Sequence, residues 1–198
     1  MPASHLIIAR LHEHLEPMAR GERYEDPLQA TLEAAGIGRV TGGGSQLNQA
    51  GGIDFADIEI ELANLDAALA TTVATLEQAG APVGSEILQD GAVLRRFGTM
   101  QCLAIFLDGV SLPDDVYANL DFDDAVMQLG NAAGVDSYHG FWQGPQETGL
   151  FFFGTDAEAM FARAERVLAV LPIGQNARVV VHHGKSESQP RTVRMPRH

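Results

Sequence analysis

The sequence predicts an α+β protein made of two tandem ferredoxin-like modules that arose by internal duplication, each with the element order βαββαβ. Two pairs of similar segments predict the duplication. DPLQATLEAAG, residues 26–36, resembles DAVMQLGNAAG, residues 124–134, at an offset of 98. DAALATTVATLEQAGAPVG, residues 66–84, resembles DAEAMFARAERVLAVLPIG, residues 156–174, at an offset of 90. We therefore expect a first module over residues 1–88, a second over 89–184 and a basic C-terminal tail over 185–198.

The first module begins with a strand at LIIARLHEHL. A helix follows, with Asp26 as its N-cap and Pro27 at its first position. GRVTGGGSQL and DFADIEIEL then predict a hairpin, because the residues NQAGG between them suit a turn. A helix from about Asp66 to Ala79 and a short strand at SEIL complete the module.

The second module repeats this order. MQCLAIFLDG predicts its first strand, and a helix follows over residues 123–133. VDSYHGFWQG and TGLFFFGT form a hairpin, and a helix over residues 156–170 leads to the strand ARVVVHHG. We expect residues 89–95 to join the modules. Helices in such modules cover one face of the sheet, which leaves the other face for function.

The chain is strongly acidic, with 13 Lys and Arg residues, 26 Asp and Glu residues and a formal net charge of −13. The last fourteen positions contain four basic residues and one acid, Glu187, so their net charge of +3 leaves −16 on the remainder. This charge opposes binding to nucleic acids and anionic membranes and favours a basic protein partner. Acidity that serves only solubility is the alternative.

No apolar run is long enough to span a bilayer, and the N-terminus lacks the layout of a signal peptide. Cys102 is the only cysteine, so internal disulfides and CxxC motifs are excluded. Its apolar surroundings in the sequence predict a buried thiol. We expect a cytoplasmic protein without a cofactor or catalytic residues.

The stretch VTGGGSQL, residues 40–47, is not a phosphate-binding loop, because no Gly-Lys-Ser/Thr motif and no helix follow it. We therefore place Gly42, Gly43 and Gly44 inside the second strand. Glycines there indicate a bulge, packing between the modules, or close approach of a partner. The offset of 98 aligns the same positions with the aromatic segment of residues 140–142.

In DIEIEL, Asp57, Glu59 and Glu61 alternate with apolar residues and so share one face of the strand. The first and third strands of a ferredoxin-like module are neighbours, which would bring His12 and His14 beside Glu59. These three residues are candidate ligands of a divalent metal. Ordinary cross-strand pairs explain the same residues, and we favour that interpretation, without a metal.

The hairpin SYHGFWQG and GLFFFG concentrates aromatic side chains. Consecutive phenylalanines on a strand face both ways, so much of this set belongs to the core. An aromatic residue left on the open face, such as Trp142, would be an anchor for module packing or for a partner. The candidate partner-binding residues are therefore Gly42, Gly43, Gly44, Asp57, Glu59, Glu61 and Trp142.

Four segments resemble, in order, an uncharacterised family of small bacterial domains with the pattern RGExYEDPL…VTGGGxxL…DIEIEL. They are EPMARGERYEDPL, residues 16–28; GIGRVTGGGSQL, residues 36–47; DIEIEL, residues 57–62; and GAPVGSEI, residues 80–87. Some small acidic α+β proteins of this kind look like immunity proteins, which protect a bacterium from a toxin. The resemblance implies no catalytic residue.

The sequence thus favours a non-enzymatic acidic protein-binding protein of the immunity or antitoxin type, which neutralises a basic toxin. The alternative is a dimeric α+β-barrel-like enzyme, or a small-ligand or metal-binding protein, with a cavity between the two modules. A third interpretation is a structural subunit that forms homo-oligomers.

Overall fold

The computed structural model describes residues 4–185 and 189–196. The chain divides into two compact units with the main boundary between Met100 and Gln101, and the short turn Ala50–Gly52 is grouped with the second unit. Each unit contains one antiparallel five-stranded sheet together with helices, so the α+β prediction is confirmed. None of the helices in the described residues is long and apolar enough to cross a membrane.

The first unit has the strand order β2-β3-β1-β4-β5. Its elements are β1 (His5–Leu11), α1 (Pro17–Arg20), α2 (Asp26–Ala35), β2 (Gly38–Leu47), β3 (Ile53–Leu62), α3 (Leu65–Gln78), β4 (Ser85–Gln89) and β5 (Ala92–Phe97). A π-helical turn, Gly21–Glu25, joins α1 to α2, so the chain is helical from Pro17 onward. Asp26 is therefore not an N-cap as predicted, because Glu25 before it already has helical φ and ψ angles.

The second unit has the strand order β10-β9-β6-β8-β7. Its elements are β6 (Gln101–Asp108), α4 (Asp114–Ala118), α5 (Phe122–Ala133), β7 (Tyr138–Gln143), β8 (Glu147–Gly154), α6 (Ala157–Leu168), a 3₁₀ turn (Pro172–Gly174), β9 (Arg178–Val181) and β10 (Arg191–Arg194).

Each unit has its own apolar core between the sheet and its helices. In the first unit, alternate residues of β1 and β3 are fully buried, among them Ile7, Ala9, Ile58 and Ile60. In the second unit, Phe152 of β8 is fully buried in the corresponding cluster. The two-residue period of the strands therefore directs one set of side chains to the helices and leaves the other set on the helix-free face.

The boundary between the units lies twelve residues later than the predicted end of the first module at residue 88. The predicted connection over residues 89–95 instead contains most of β5, which pairs with β4 through partners such as Glu86 and Arg96. Strand pairing across a two-residue turn thus retains this segment in the first sheet.

The predicted basic tail, residues 185–198, also contributes to the fold. Its strand β10 pairs with β9, and Met195 is buried in the core of the second unit. The guanidinium of Arg191 donates to the carboxylate of Glu158 on α6. Residues 186–188 and 197–198 lie outside the described part of the chain.

The two units share irregularities at corresponding positions. A β-bulge interrupts β2 at Thr41 and β7 at His139, 98 residues later, which is the offset of the first sequence repeat. The N-caps Asn64 and Asp156, whose side chains accept from the backbone N–H groups three residues ahead, lie 92 residues apart. The offset of 90 in the second sequence repeat is therefore two residues short of the structural correspondence at these caps.

A buried polar cluster holds the helical segment of the first unit against its sheet. The carboxylate of Glu13 is fully buried and accepts from the Tyr24 hydroxyl at 2.7 Å and from the Arg23 guanidinium at 2.9 Å. Burial, reinforced by the Glu13 carboxylate, raises the pKa of Tyr24 well above its ordinary value. The hydroxyl of Tyr24 therefore stays protonated and remains a donor.

Replacement of Tyr24 by Phe should lower the free energy of unfolding by about 1–3 kcal/mol, because the buried Glu13 carboxylate loses a donor. The measurement is urea denaturation followed by circular dichroism. Tyr138→Phe is the matched control and should change stability by less than about 0.5 kcal/mol, since no hydrogen bond of its hydroxyl is found among the described residues. Equal losses in both variants would contradict the assigned role of the cluster.

Candidate functional site

The candidate site lies along β2, which forms one edge of the first sheet. Only β3 pairs with it in that sheet, so one side of its backbone carries main-chain N–H and C=O groups that make no ladder bonds there. Residues 43–47 are all exposed, and Leu47 is 56% exposed. A strand with such an edge can pair with another extended chain.

The three glycines lie inside this strand, as their pattern predicts, but their surroundings differ. A Cβ atom at Gly42 would lie 3.3 Å from Oε2 of Glu59, on the helix-free face. At Gly43 it would lie 2.8 Å from Oε1 of Glu25 and 3.1 Å from Nε of Arg20. At Gly44 nothing lies within 4 Å. Glycine is therefore required at position 43, because a side chain there would clash within the first unit. At position 44 no contact among the described residues requires a glycine.

An ion pair covers Gly43. Nε of Arg20 donates to Oε1 of Glu25 at 2.5 Å, and Nη1 of Arg20 donates to the Ser45 hydroxyl at 3.3 Å. The helical segment that precedes α2 is thus tied to the edge strand across a position that has no side chain. Both charged residues come from the stretch RGERYE, whose role was not recognised from the sequence.

The three carboxylates predicted on β3 do share the helix-free face, but two of them are paired. Asp57 accepts two hydrogen bonds from Arg10, at 2.9 and 2.8 Å. Glu61 accepts from Nε of Arg39 at 2.8 Å, and the Ser4 hydroxyl and Arg39 lower the pKa of this carboxyl. The described residues provide no ion-pair or hydrogen-bond partner for exposed Glu59. The acidic row therefore presents one unpaired carboxylate, beside Gly42.

Arg10 is the centre of a cluster that the sequence did not reveal. Its guanidinium lies 3.8 Å from the centroid of the Phe55 ring, while the edge formed by Nε and Nη2 donates to the two carboxylate oxygens of Asp57. The hydrogen bond to Asp57 is the main cause that raises the pKa of Arg10, and the charge of Glu86 on β4 adds to it. The helix-free face of the first sheet is therefore held together by charge-assisted hydrogen bonds.

The metal candidates His12, His14 and Glu59 do not come together. The register of β1 with β3 places Ile8 opposite Glu59, four residues before His12. His12 instead lies edge-on to Phe55, and Nδ1 of His14 accepts from the backbone N–H of Ile53 at 3.2 Å. Among residues 4–185 and 189–196, no group of three or more His, Cys, Asp or Glu side chains could hold a metal ion.

Trp142, predicted as an aromatic anchor, is only partly exposed, and its ring packs against its own hairpin. A Cβ atom at Gly144 would lie 2.2 Å from this ring. The neighbouring Phe141 is 47% exposed and meets Phe122 edge-to-face at 5.6 Å. Cys102 is buried, as predicted.

The other three sheet edges carry features that discourage strand addition. β5 bears Arg95 and Arg96, and β10 is four residues long and lies between Pro190 and Pro196. β7 has six residues, with a bulge near one end. The half of β2 beyond its own bulge, residues 42–47, contains no charged residue and no proline. It is the least protected edge in the described part of the chain.

Comparisons with known proteins leave the family open. No protein-family model matches the chain, and no curated protein matches it. Among solved structures, the regulatory subunit of aspartate kinase from Thermus flavus has 14% sequence identity and a TM-score of 0.27, covering 83% of this chain and 95% of that chain. A putative monooxygenase from Lactobacillus acidophilus NCFM has 15% identity and a TM-score of 0.27, covering 96% of this chain and 93% of that one. Neither likeness carries an argument about function.

Two single-methyl substitutions should separate the roles of the glycines. Gly43→Ala should destabilise the protein by about 1–3 kcal/mol, because its Cβ would meet the Asp57 backbone oxygen at 2.7 Å as well as the Arg20–Glu25 pair. Gly44→Ala should be neutral or should stabilise by up to about 1 kcal/mol, since its surroundings are open. Chemical denaturation of both variants measures the difference. Equal destabilisation would show that the strand itself rejects side chains.

A second pair of variants tests the charge assignment on β3. Asp57→Asn should cost about 1 kcal/mol of unfolding free energy, because it weakens the bidentate pair with Arg10. Glu59→Gln should change stability by less than about 0.5 kcal/mol, since the carboxylate is exposed and unpaired among the described residues. Thermal unfolding at low and moderate salt measures both effects. A larger loss for Glu59→Gln would contradict the assignment.

Proposed function

We propose that this chain is a non-enzymatic acidic binding protein of the immunity or antitoxin type, which captures an extended, basic segment of a partner protein along β2. The observation that carries the proposal is the exposed, uncharged half of this edge strand beside an unpaired carboxylate. The net charge of −13 adds long-range attraction for a basic partner.

Strand addition supplies the affinity in this proposal. An added strand would pair with the outer backbone groups of residues 42–47, which make no ladder bonds in the first sheet. Main-chain hydrogen bonds of this kind do not depend on the partner's sequence. At Gly44 nothing lies within 4 Å of the place where a Cβ atom would stand, so a side chain of the added strand could lie across β2 there without a clash. At Gly43 the Arg20–Glu25 pair occupies the corresponding space.

Glu59 supplies the selectivity. Its carboxylate points toward Gly42, and only 3.3 Å separates Oε2 from the place where a Cβ atom would stand. A lysine or arginine on the added strand could therefore reach across the glycine to this carboxylate. Asp57 and Glu61 are already paired, so a partner would gain less from them.

We further propose that the two units are ferredoxin-like modules related by duplication. The orders β2-β3-β1-β4 and β7-β8-β6-β9 are the same permutation of four consecutive strands, and each sheet adds a fifth strand beyond the last of these. The bulges 98 residues apart support the same conclusion. Under duplication, the edge strands β2 and β7 are counterparts that have diverged.

The test of function uses the protein encoded by the neighbouring gene as the partner. The wild-type chain should co-purify with that protein and restore growth to cells that express it. Gly44→Lys should abolish both effects, since a lysine on the edge blocks strand addition and repels a basic segment, and the open surroundings of Gly44 admit the side chain. Ala30→Lys, on the exposed surface of α2, makes the same charge change away from the edge and should have no effect.

A peptide experiment tests the site independently of the partner's identity. A seven-residue peptide of alternating lysine and valine should bind with an affinity that falls as salt rises, measured by fluorescence anisotropy. Glu59→Gln should weaken it by about twofold to fivefold, the effect of one surface ion pair. If the alternating glutamate and valine peptide binds equally well, or Gly44→Lys leaves binding intact, the β2 site is wrong.

A further inference from the structure

The second unit contains a cavity of about 370 Å³, separate from the β2 site. It lies where the end of β6 meets β7, β8 and the α4–α5 segment. Apolar side chains dominate its lining, and its aromatic and polar members are Asp108, Tyr117, Phe122, Phe141, Gln143 and Thr148. An apolar cavity of this size with a few converging polar groups is typical of a small-molecule site.

Aromatic rings form one part of the wall. Phe122 and Phe141 meet edge-to-face, with an interplanar angle of 67°. The hydroxyl oxygen of Tyr117 accepts from the backbone N–H of Leu112 at 2.9 Å, which fixes the position of that ring. Faces of aromatic rings attract cations, and several rings around one cavity are the arrangement that recognises alkylated ammonium groups.

Among the described residues that line the cavity, Asp108 alone carries a charge. Between Arg96 and Arg163 the sequence contains no lysine or arginine, but it contains ten aspartate and glutamate residues. Asp108 lines the cavity itself, and Asp114, Asp115 and Asp123 on the adjoining segment are exposed. An anionic ligand would find no basic side chain in this stretch, whereas a cation would be attracted to it.

Asp108 supplies a fixed negative charge. It accepts from the Ser111 hydroxyl, from the backbone N–H groups of Val110 and Ser111 at 2.9 Å each, and from Asn176 at 3.3 Å. These donors, led by the Ser111 hydroxyl, lower the pKa of Asp108 to about 2. Because the carboxylate oxygens of Asp108 already accept these hydrogen bonds, Asp108 would stabilise a bound cation by electrostatic attraction.

We propose that this cavity binds a small organic ammonium cation, held by the aromatic faces of Phe122 and Phe141 and by the negative charge of Asp108. Gln143 and Thr148 provide the polar groups that would accept or donate to a substituent of the ligand. The inference is independent of the β2 proposal, because the two sites share no residue.

The test compares choline with 3,3-dimethylbutan-1-ol, its neutral isostere, by NMR titration of the full chain. Choline should bind saturably, shift the amide resonances of Phe141 and Thr148, and bind about tenfold more tightly than the isostere. Phe141→Leu, which keeps the apolar volume but removes the ring, should reduce this preference by about threefold to tenfold. Trp142→Leu, at the adjacent residue outside the cavity lining, should leave it unchanged.

Asp108→Asn provides a second variant, since an amide oxygen can still accept from the loop while the charge is lost. It should weaken choline binding by about twofold to fivefold and leave binding of the isostere unchanged. Equal affinity for the two probes would show a merely apolar cavity and would overturn the proposal. The same conclusion follows if neither probe binds saturably, or if the preference for choline survives both cavity variants.

Discussion

The register in which β1 pairs with β3 determines the charge of the helix-free face of the first sheet. It places Arg10 opposite Asp57 and Ile8 opposite Glu59, so one carboxylate is neutralised and the next is left free. A slip by one residue would turn the alternating apolar side chains of β1 away from the core, so burial fixes the register. The unpaired state of Glu59 is thus a consequence of core packing, and it survives because no basic residue is available opposite it.

The edge strand β2 pairs with the other side of β3 and meets the same carboxylate, Glu59. After the bulge at Thr41, β2 resumes pairing with Gly42 opposite Glu59. A side chain at Gly42 would lie against that carboxylate, and one at Gly43 would displace the Arg20–Glu25 pair. Contacts within the first unit therefore explain why glycine stands at positions 42 and 43. For Gly44 the described residues give no such reason, and the proposed strand addition would account for a glycine there.

Alternation and repetition in the sequence were enough to predict the α+β class, the helices α2, α3, α5 and α6, the hairpins β2–β3 and β7–β8, and the shared face of the three carboxylates. They could not predict the pairing of Asp57 and Glu61, because cross-strand partners depend on register, which a one-residue bulge changes.

The metal candidates failed for the same reason: His12 follows the paired part of β1 and meets Phe55 instead of Glu59. The first unit extends beyond residue 88 because β5, which offers little apolar alternation in the sequence, joins the first sheet through a two-residue turn. The cavity of the second unit had no sequence signal, since its lining is spread from residue 107 to residue 173.

Under the proposed duplication, the counterpart strands β2 and β7 share a backbone bulge but differ in the residues that follow it. In each, a glycine follows the bulge and faces the neighbouring strand, Gly42 opposite Glu59 and Gly140 opposite Phe151. The next residues diverge. In β2, Gly44 has nothing within 4 Å of a Cβ position, which suits the proposed pairing with an extended chain. Phe141 after Gly140 supplies an aromatic wall to a cavity instead, and the Trp142 ring covers Gly144. A strand whose edge is covered by large side chains is a poorer template for strand addition, so the two proposed binding modes would compete on a single strand. The proposed duplication would remove that conflict, because each unit has the bulge and could use its edge strand for one mode.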